Sequence, residues 1–371
     1  MVALQHHVWM FLAFVMSLFF LSAHAAPLSN LADPFPPPGP TDTWQWVPIN
    51  GSSCIDGKPT GVYIKYGSST RDLAIYHHGG GACFNHLTCY TCYKNPHPAA
   101  AGVDGIYSST NPKNPYKDFN WIYVPYCTGD VHVGAIQQQF SGSLRHFSGR
   151  SNVALIMERA VATFPSIDTL VVTGESAGGF GAVTNYDFIR THWGDQNLKH
   201  GVLIDDSGPV TDDKTIAPCL QESWRATWNL NASMPPDCPC VGKAGNIVSI
   251  WAYLMKKYPN DSFGLISSTQ DAVISTFFSF GMHNCMSPFP DPRYDALAAG
   301  LLSLSASGVP VYMIPGVVHT HTGGKASFYT EQVDGIELYK WVAQLVSNDV
   351  PNPPSVIPKG NGSGSLTVAF S

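Results

Sequence analysis

The chain has 371 residues, with 44% hydrophobic and 12% aromatic side chains and 20 Lys+Arg against 26 Asp+Glu. That length suits one large α/β domain with a sizeable core and is too short for three ordinary ones, and the apolar content excludes disorder over most of it. Charged residues are only 12% of the chain, below the usual level of about 25%, and no Lys/Arg run offsets the net charge of −6, so no nucleic-acid partner is expected.

In chain order, residues 1–25 read as a signal peptide. Met10–Leu21 is an apolar run of 12 residues, followed by Ala23-His24-Ala25, a small-x-small cleavage pattern. A membrane span needs about 20 apolar residues, and no other segment offers one. The expected location is therefore extracellular, without a membrane span. Residues 26–41 are Pro-rich and read as a linker or extended arm. Strands are expected at Leu73–Tyr76, Trp121–Pro125, Thr169–Thr173, Gly201–Ile204, Phe263–Ser267 and Val311–Ile314. Helices are expected at Asn152–Phe164, Gly178–Thr191, Ile247–Tyr258, Asp271–Ser279, Tyr294–Ala306 and Phe328–Val346. This alternation predicts an α/β fold, a mainly parallel sheet covered by helices on both faces, in one catalytic domain over residues 42–348. Residues 349–371, rich in Pro, Gly and Ser, read as a flexible tail.

Nine cysteines fit an oxidising compartment, and an odd number leaves at least one outside any internal bridge. Cys89-x-x-Cys92 is better read as disulfide chemistry than as zinc, because no second CxxC accompanies it. Asn50, Asn231, Asn260 and Asn361 each begin an N-glycosylation sequon.

The most informative stretch is Asp168–Phe180, DTLVVTGESAGGF. An apolar strand runs into Gly174-Glu175-Ser176-Ala177-Gly178, and a small-residue helix follows. Strand, sharp turn and helix in that order are the context of a serine nucleophile elbow. The glycines remove Cβ atoms where strand and helix crowd the serine. The bland alternative is a tight turn with a structural serine. Upstream, LAIYHHGGGAC carries a strand into Gly79-Gly80-Gly81, a loop able to turn backbone N–H groups toward a developing oxyanion. Ala177, next to the serine, is the other expected donor. His77 and His78 alternate faces of a strand and make poor co-ligands for a metal.

A serine nucleophile needs a histidine, and the histidine needs an acid to fix its tautomer. His319 follows a strand in a loop before the last helix and is the preferred base, with His321 second. His192 and His200 read as structural. A metal site at His319-x-His321 lacks a nearby third ligand. Asp271, at the end of the preceding strand, is the preferred acid. Asp205 and Asp206 compete with it, and a plain helix N-cap is its structural alternative.

Several blocks in order resemble the pectin acetylesterase/Notum family of secreted carboxylesterases. They are HGGGACFN at residues 78–85, with Cys89; YCTGDVHVG at 126–134; FSGRSN at 147–152; GESAGGFG at 174–181; DSGP at 206–209; and Asp271 and His319 in their settings. The resemblance covers about Trp44 to Val346. It implies an α/β-hydrolase-like fold, a Ser176–His319–Asp271 triad, oxyanion donors at Gly80, Gly81 and Ala177, no cofactor and no metal. It also implies a Cys83–Cys89 disulfide beneath the donor loop. Two departures stand out. His78 replaces an acidic residue before the glycines, and Gly81 and Ala82 stand where relatives often carry a large aromatic. The second change predicts a wide, wet mouth that favours short acyl groups.

The leading reading is a secreted serine esterase that removes acyl groups, acetyl foremost, from an extracellular polysaccharide such as pectin. One alternative keeps the chemistry on longer acyl or aryl esters, including lipidated protein. Another is a non-catalytic carbohydrate-binding protein whose Trp121, Trp193, Trp224, Trp228 and Trp251 stack on sugar, although these indoles read better as core.

Overall fold

The computed structural model describes residues 33–40, 42–92, 95, 102–242, 245–287, 289–292, 294–347 and 352–359. The signal-peptide reading, the first part of the arm, Asn361 and the end of the tail lie outside them. No helix among the described residues is long and apolar enough to cross a membrane.

Strands β1 (Gln45–Pro48), β2 (Gly61–Lys65), β3 (Asp72–His77) and β4 (Asn120–Val124) open the fold, with the short helix α1 (His86–Thr91) between β3 and β4. A hairpin of β5 (Ile136–Phe140) and β6 (Ser143–Phe147) leads into α2 (Gly149–Thr163). Next come β7 (Ile167–Glu175), α3 (Ala177–Thr191), the single turn α4 (Gly194–Asn197), β8 (Leu198–Asp206), α5 (Pro218–Trp228), α6 (Ser249–Lys257), β9 (Ser262–Ser268) and α7 (Ala272–Ser279). The chain finishes through α8 (Tyr294–Ala306), β10 (Val311–Ile314), a small hairpin of β11 (Gln332–Val333) and β12 (Ile336–Glu337), and α9 (Leu338–Ser347).

Eight strands form one sheet in the order β1-β2-β4-β3-β7-β8-β9-β10. The β1–β2 and β2–β4 pairs are antiparallel, and every pair from β4 to β10 is parallel. The expected mainly parallel α/β sheet is therefore present. Apart from the edge strand β1, its strands are largely buried on both faces, as such sheets require. Leu170 and Val172 of β7 face a core built with Val153, Phe180, Val183, Leu254 and Leu301 from α2, α3, α6 and α8. Val171 faces the opposite core, where Trp341 and Leu345 of α9 join Tyr107, Tyr116 and Trp121.

All six expected strands exist, with ends shifted by a few residues. The α1 and α5 helices and the β5–β6 hairpin are not among the expected elements, and three further regions differ from expectation. Strands β1 and β2 escape a hydrophobic pattern because β1 is short and ends in Pro48, while β2 buries Lys65. That ammonium is held by Asp42 and by the carbonyl of Tyr107. The helix expected over Phe328–Val346 begins only at Leu338. Asp334 and Gly335 take φ of 48° and 81°, the two left-handed residues of a tight hairpin turn, and the β11–β12 hairpin replaces the first half of that helix. Residues 352–359, expected to be flexible, instead cover the outer edge of β10. Met313 N–H donates to Val356 O at 2.8 Å and Val356 N–H to Val311 O at 2.8 Å, which removes an open strand edge. In the arm, Phe35 is buried and its N–H donates to Thr163 Oγ1 at 2.7 Å, so this part is extended and docked on α2.

Four disulfides join Cys54–Cys127, Cys83–Cys89, Cys219–Cys285 and Cys238–Cys240. The CxxC segment does not close on itself: Cys89 pairs with Cys83, and Cys92 stands outside all four bridges.

Candidate active site

The carboxyl ends of five neighbouring parallel strands supply the site, where ligands bind in open α/β sheets. In spatial order β3 leads to the glycine loop, β7 to Ser176, β8 to Asp206, β9 to Asp271 and β10 to His319.

Ser176 takes φ 57° and ψ −123° between β7 and α3, the strained geometry expected of an elbow. The close approach behind it explains one glycine. A Cβ on Gly178 would sit 1.9 Å from His77 O, so any other residue would force β3 and the elbow apart. Ser176 stays partly exposed, while the Ala177 N–H opens the first turn of α3 and has no carbonyl four residues back to bond.

The donor loop follows β3. Gly80 and Gly81 take φ of 153° and 80°, and such backbone turns the peptide planes between them in a way L side chains resist. Cys83 anchors the loop from below. Its N–H donates to Gly129 O at 2.6 Å, its carbonyl accepts Trp228 Nε1–H at 2.8 Å, and its sulfur is bridged to Cys89 in α1. Asn85 caps α1 reciprocally with Thr88, which fixes the partner cysteine on a formed turn.

Asp271 and His319 are brought together. His319 Nδ1 lies 2.7 Å from Asp271 Oδ2. Asp271 is fully buried, whereas the His319 side chain is 21% exposed. The other oxygen of Asp271 accepts Val273 N–H and Ile274 N–H, each at 3.0 Å. The helix-cap reading and the acid reading of this residue thus fall on one carboxylate, one oxygen capping α7 and the other meeting the imidazole. With Nδ1 engaged, Nε2 is the nitrogen left for a hydroxyl. Lys325 Nζ donates to the carbonyls of His319 at 2.8 Å and Thr320 at 2.6 Å and so closes the loop that follows the histidine.

The competing candidates are placed elsewhere. His321 is buried with Nε2 3.1 Å from Ser268 Oγ, and burial lowers its pKa. His192 Nδ1 lies 2.7 Å from Phe188 O, and His200 Nε2 lies 3.1 Å from Leu345 O, as expected of structural imidazoles. Asp205 accepts Gly208 N–H at 2.8 Å, and burial raises its pKa well above the carboxylate range. Asp206 turns its carboxylate to backbone groups of the His319 loop rather than to an imidazole. His78 Nε2 is 3.7 Å from Glu175 Oε1. Burial holds His78 down to about 4 and, with Asp206 nearby, raises Glu175, so a neutral imidazole meets Glu175 at neutral pH.

Beside Ser176 and Ala177 lies a cavity of about 50 Å³ walled by Phe84, Phe180, Trp224, Trp228, Phe277 and Phe278. This corrects the wide, wet mouth. Phe277 Cζ of α7 stands 3.5 Å from where a Cβ on Gly81 would lie, so a ring from a distant helix covers the space left by the small residues of the loop. Trp121, Trp193 and Trp251 are core residues. Trp224 and Trp228 are buried as well, yet they also form the cavity wall, stacked with centroids 5.5 Å apart. The sequence named Trp224 and Trp228 only as sugar-stacking candidates that read better as core, and it placed none of these rings beside Ser176. The wall's only signal was W-x-x-x-W, the helical spacing of α5.

Known proteins resemble the chain in both sequence and shape. A human palmitoleoyl-protein carboxylesterase NOTUM is 28% identical over 144 residues, covering 36% of this chain and 29% of that protein. Its Drosophila melanogaster counterpart is 27% identical over 208 residues, covering 50% and 31%. The matched segments span about a third or less of these relatives' own length. Two crystal forms of the Wnt deacylase Notum from Drosophila superpose with TM-scores of 0.63 and 0.62 at 17% and 19% identity, each covering 86% of this chain and 98% of the other. The fold is therefore α/β-hydrolase-like, as in those structures. The pectinacetylesterase profile matches residues 46–245, more than half of the sequence and the part that holds the donor loop and the elbow, and the chain belongs to the pectinacetylesterase family.

Proposed function

We propose that the chain is a secreted serine carboxylesterase that removes short acyl groups, acetyl foremost, from an extracellular polysaccharide such as pectin. The observation that carries this reading is the meeting, at neighbouring strand ends, of an elbow serine and a hydrogen-bonded His319–Asp271 pair. Ser176 Oγ attacks the ester carbonyl while His319 Nε2 takes its proton. Asp271 holds the imidazole by Nδ1–H and stabilises the imidazolium. The N–H groups of Gly80, Gly81 and Ala177 receive the oxyanion. The same imidazole protonates the leaving alcohol and then activates the water that frees Ser176 from its acyl group. No step calls for a cofactor or a metal. The catalytic domain is assigned to residues 42–348. Secretion is supported by the apolar leader pattern and by four disulfides.

Acyl size follows from the cavity. A water-sized group needs about 10–15 Å³, so about 50 Å³ admits only a few such groups. That suits acetyl and closes out a long chain unless the wall moves. The apolar lining and the palmitoleoyl-protein carboxylesterase relatives favour a second reading, in which Phe277 swings aside for longer acyl groups. Acetate release from acetylated pectin, with kcat/KM across p-nitrophenyl esters from acetyl to octanoyl, separates the two. Acetate release with activity falling beyond butyryl is expected. Rising activity to octanoyl with no acetate from any acetylated polysaccharide would overturn the short-acyl reading.

A further inference from the structure

The carboxyl end of β8 grips both halves of the catalytic machinery, and nothing in the triad chemistry uses it. Asp206 is fully buried. Its backbone carbonyl accepts Ser176 N–H at 2.8 Å, so it fixes the residue that carries the nucleophile. Its carboxylate faces the other way, into the loop that follows His319. Oδ1 and Oδ2 accept His321 N–H at 3.0 and 2.9 Å, and Oδ2 also accepts Thr322 N–H at 2.8 Å and Thr322 Oγ1–H at 2.7 Å. Ser207 adds a further tie, its Oγ accepting Thr320 N–H at 3.2 Å. Ser207 and Thr320 both take φ near 60°, so neither segment is relaxed backbone that would find this conformation unaided.

We propose that Asp206 is a positioning residue that sets the His319 loop in register with Ser176, acting through backbone groups of both. The inference rests on the esterase reading above. Four donors converge on one buried carboxylate, the fourth being Ser207 Oγ–H to Oδ1 at 3.1 Å, and the same residue holds the serine's own amide. A shift of the loop relative to the elbow would have to break charge-assisted hydrogen bonds in a dry site, where an unmet donor is costly. Asp271 orients the imidazole ring, whereas Asp206 sets where that ring stands. An asparagine at 206 keeps the size but places an NH2 group among N–H donors. The expected consequence is a displaced loop in a folded protein.

The test uses p-nitrophenyl acetate hydrolysis and the rate at which a fluorophosphonate labels Ser176, both scaled to folded protein by thermal unfolding. Asp206→Asn should lower kcat roughly 10- to 100-fold, the scale of a misplacement of about 1 Å, with KM changed less than about threefold and the labelling rate falling in parallel. Thr322→Val removes one donor and leaves the carboxylate its two backbone donors and the Ser207 hydroxyl. It should lower kcat several-fold, and Thr322→Ser should recover most of the loss. If Asp206→Asn fails to fold, the Thr322 pair decides. Unchanged kcat per folded molecule in a folded Asp206→Asn or Thr322→Val protein overturns the proposal, as does a loss explained wholly by fewer folded molecules. Ser176→Ala keeps the two readings separate. If it is inactive while the Asp206 and Thr322 variants are fully active, only the positioning role fails; if it is active, the esterase reading itself fails.

Discussion

The two sides of the Ser176 cavity are built by different means. One is a polar crest of short segments, each fixed to a strand end: the glycine loop, the elbow, the Asp206 turn, Asp271 and the His319 loop. The other is an apolar wall of rings from α3, α5, α7 and the segment before α1, held mainly by packing, with Trp228 tied to the glycine loop through Cys83 O. Strand ends are rigid and adjacent, so the crest can hold reacting groups to the tolerance that proton transfer needs. Helix side chains meet over longer spans, so the wall can vary in volume without moving the crest. Crest substitutions should therefore lower turnover on every ester, and wall substitutions should redistribute turnover among esters.

The largest effects belong to the reacting groups. Ser176→Ala and His319→Ala should each cost at least about 10,000-fold in kcat on all acyl lengths, with thermal unfolding nearly unchanged. His321→Ala should leave most activity and cost stability instead, because it removes a buried ring bonded to Ser268. Steady-state rates beside calorimetry of the three variants check this. An inactive His321→Ala beside an active His319→Ala would exchange the two assignments.

Asp271 offers a sharper cut, since its two oxygens serve two roles. Asp271→Asn should lower kcat about 1,000- to 10,000-fold while keeping a helix cap, because asparagine caps as well as aspartate. Asp271→Ala should lose the activity and a further 0.5–2 kcal/mol or so of stability. Equal unfolding temperatures for the two variants would show that the cap oxygen contributes nothing.

The crest should also be sensitive to pH in a way the wall is not. His77, under the donor loop, is fully buried, and burial holds it down to about 4 from an ordinary 6.5. The folded state therefore refuses a proton that the unfolded chain accepts. Stability from this group is complete above about pH 6.5 and drains as pH falls toward 4, by an amount on the order of 3 kcal/mol. Unfolding temperatures of wild type and His77→Asn between pH 7 and 4.5 should converge on acidification. Parallel curves would remove His77 from the account.

Crest and wall also differ in how well a sequence shows them. The crest was legible because each piece is local: an apolar strand of β-branched residues, then Gly, Ser, Asp or His at its carboxyl end. The choice between Asp271 and Asp206 was harder, since both follow strands and both end up buried. What separates them is which partner each carboxylate faces, an imidazole or a peptide group, and that is a tertiary fact. The wall was largely illegible. Trp224, Trp228 and Phe277 sit on helices whose patterns say only that one face is apolar, and a core indole and a pocket indole look alike in sequence. The glycines at the donor loop pointed to an open mouth because the ring that covers them, Phe277, comes from almost 200 residues further along the chain.

The smallest effect expected is also the one that tests the wall directly. Phe277 is only partly buried and stands over Gly81 at the rim, so its removal should enlarge the cavity with little disturbance to the core. Wild type should turn over acetyl to butyryl esters best, because each further methylene finds no apolar surface to enter. In Phe277→Ala each newly accommodated methylene gains up to about 0.8 kcal/mol, close to fourfold in kcat/KM. Two or three extra methylenes would shift the octanoyl-to-acetyl ratio by roughly 10- to 50-fold, with kcat on acetyl changed little because the crest is untouched. The ratio itself is the measurement, since it cancels differences in folded fraction. A Phe277→Ala protein that loses acetyl turnover in step with octanoyl would show that the ring belongs to the catalytic crest. A ratio that stays fixed would show that acyl length is read elsewhere.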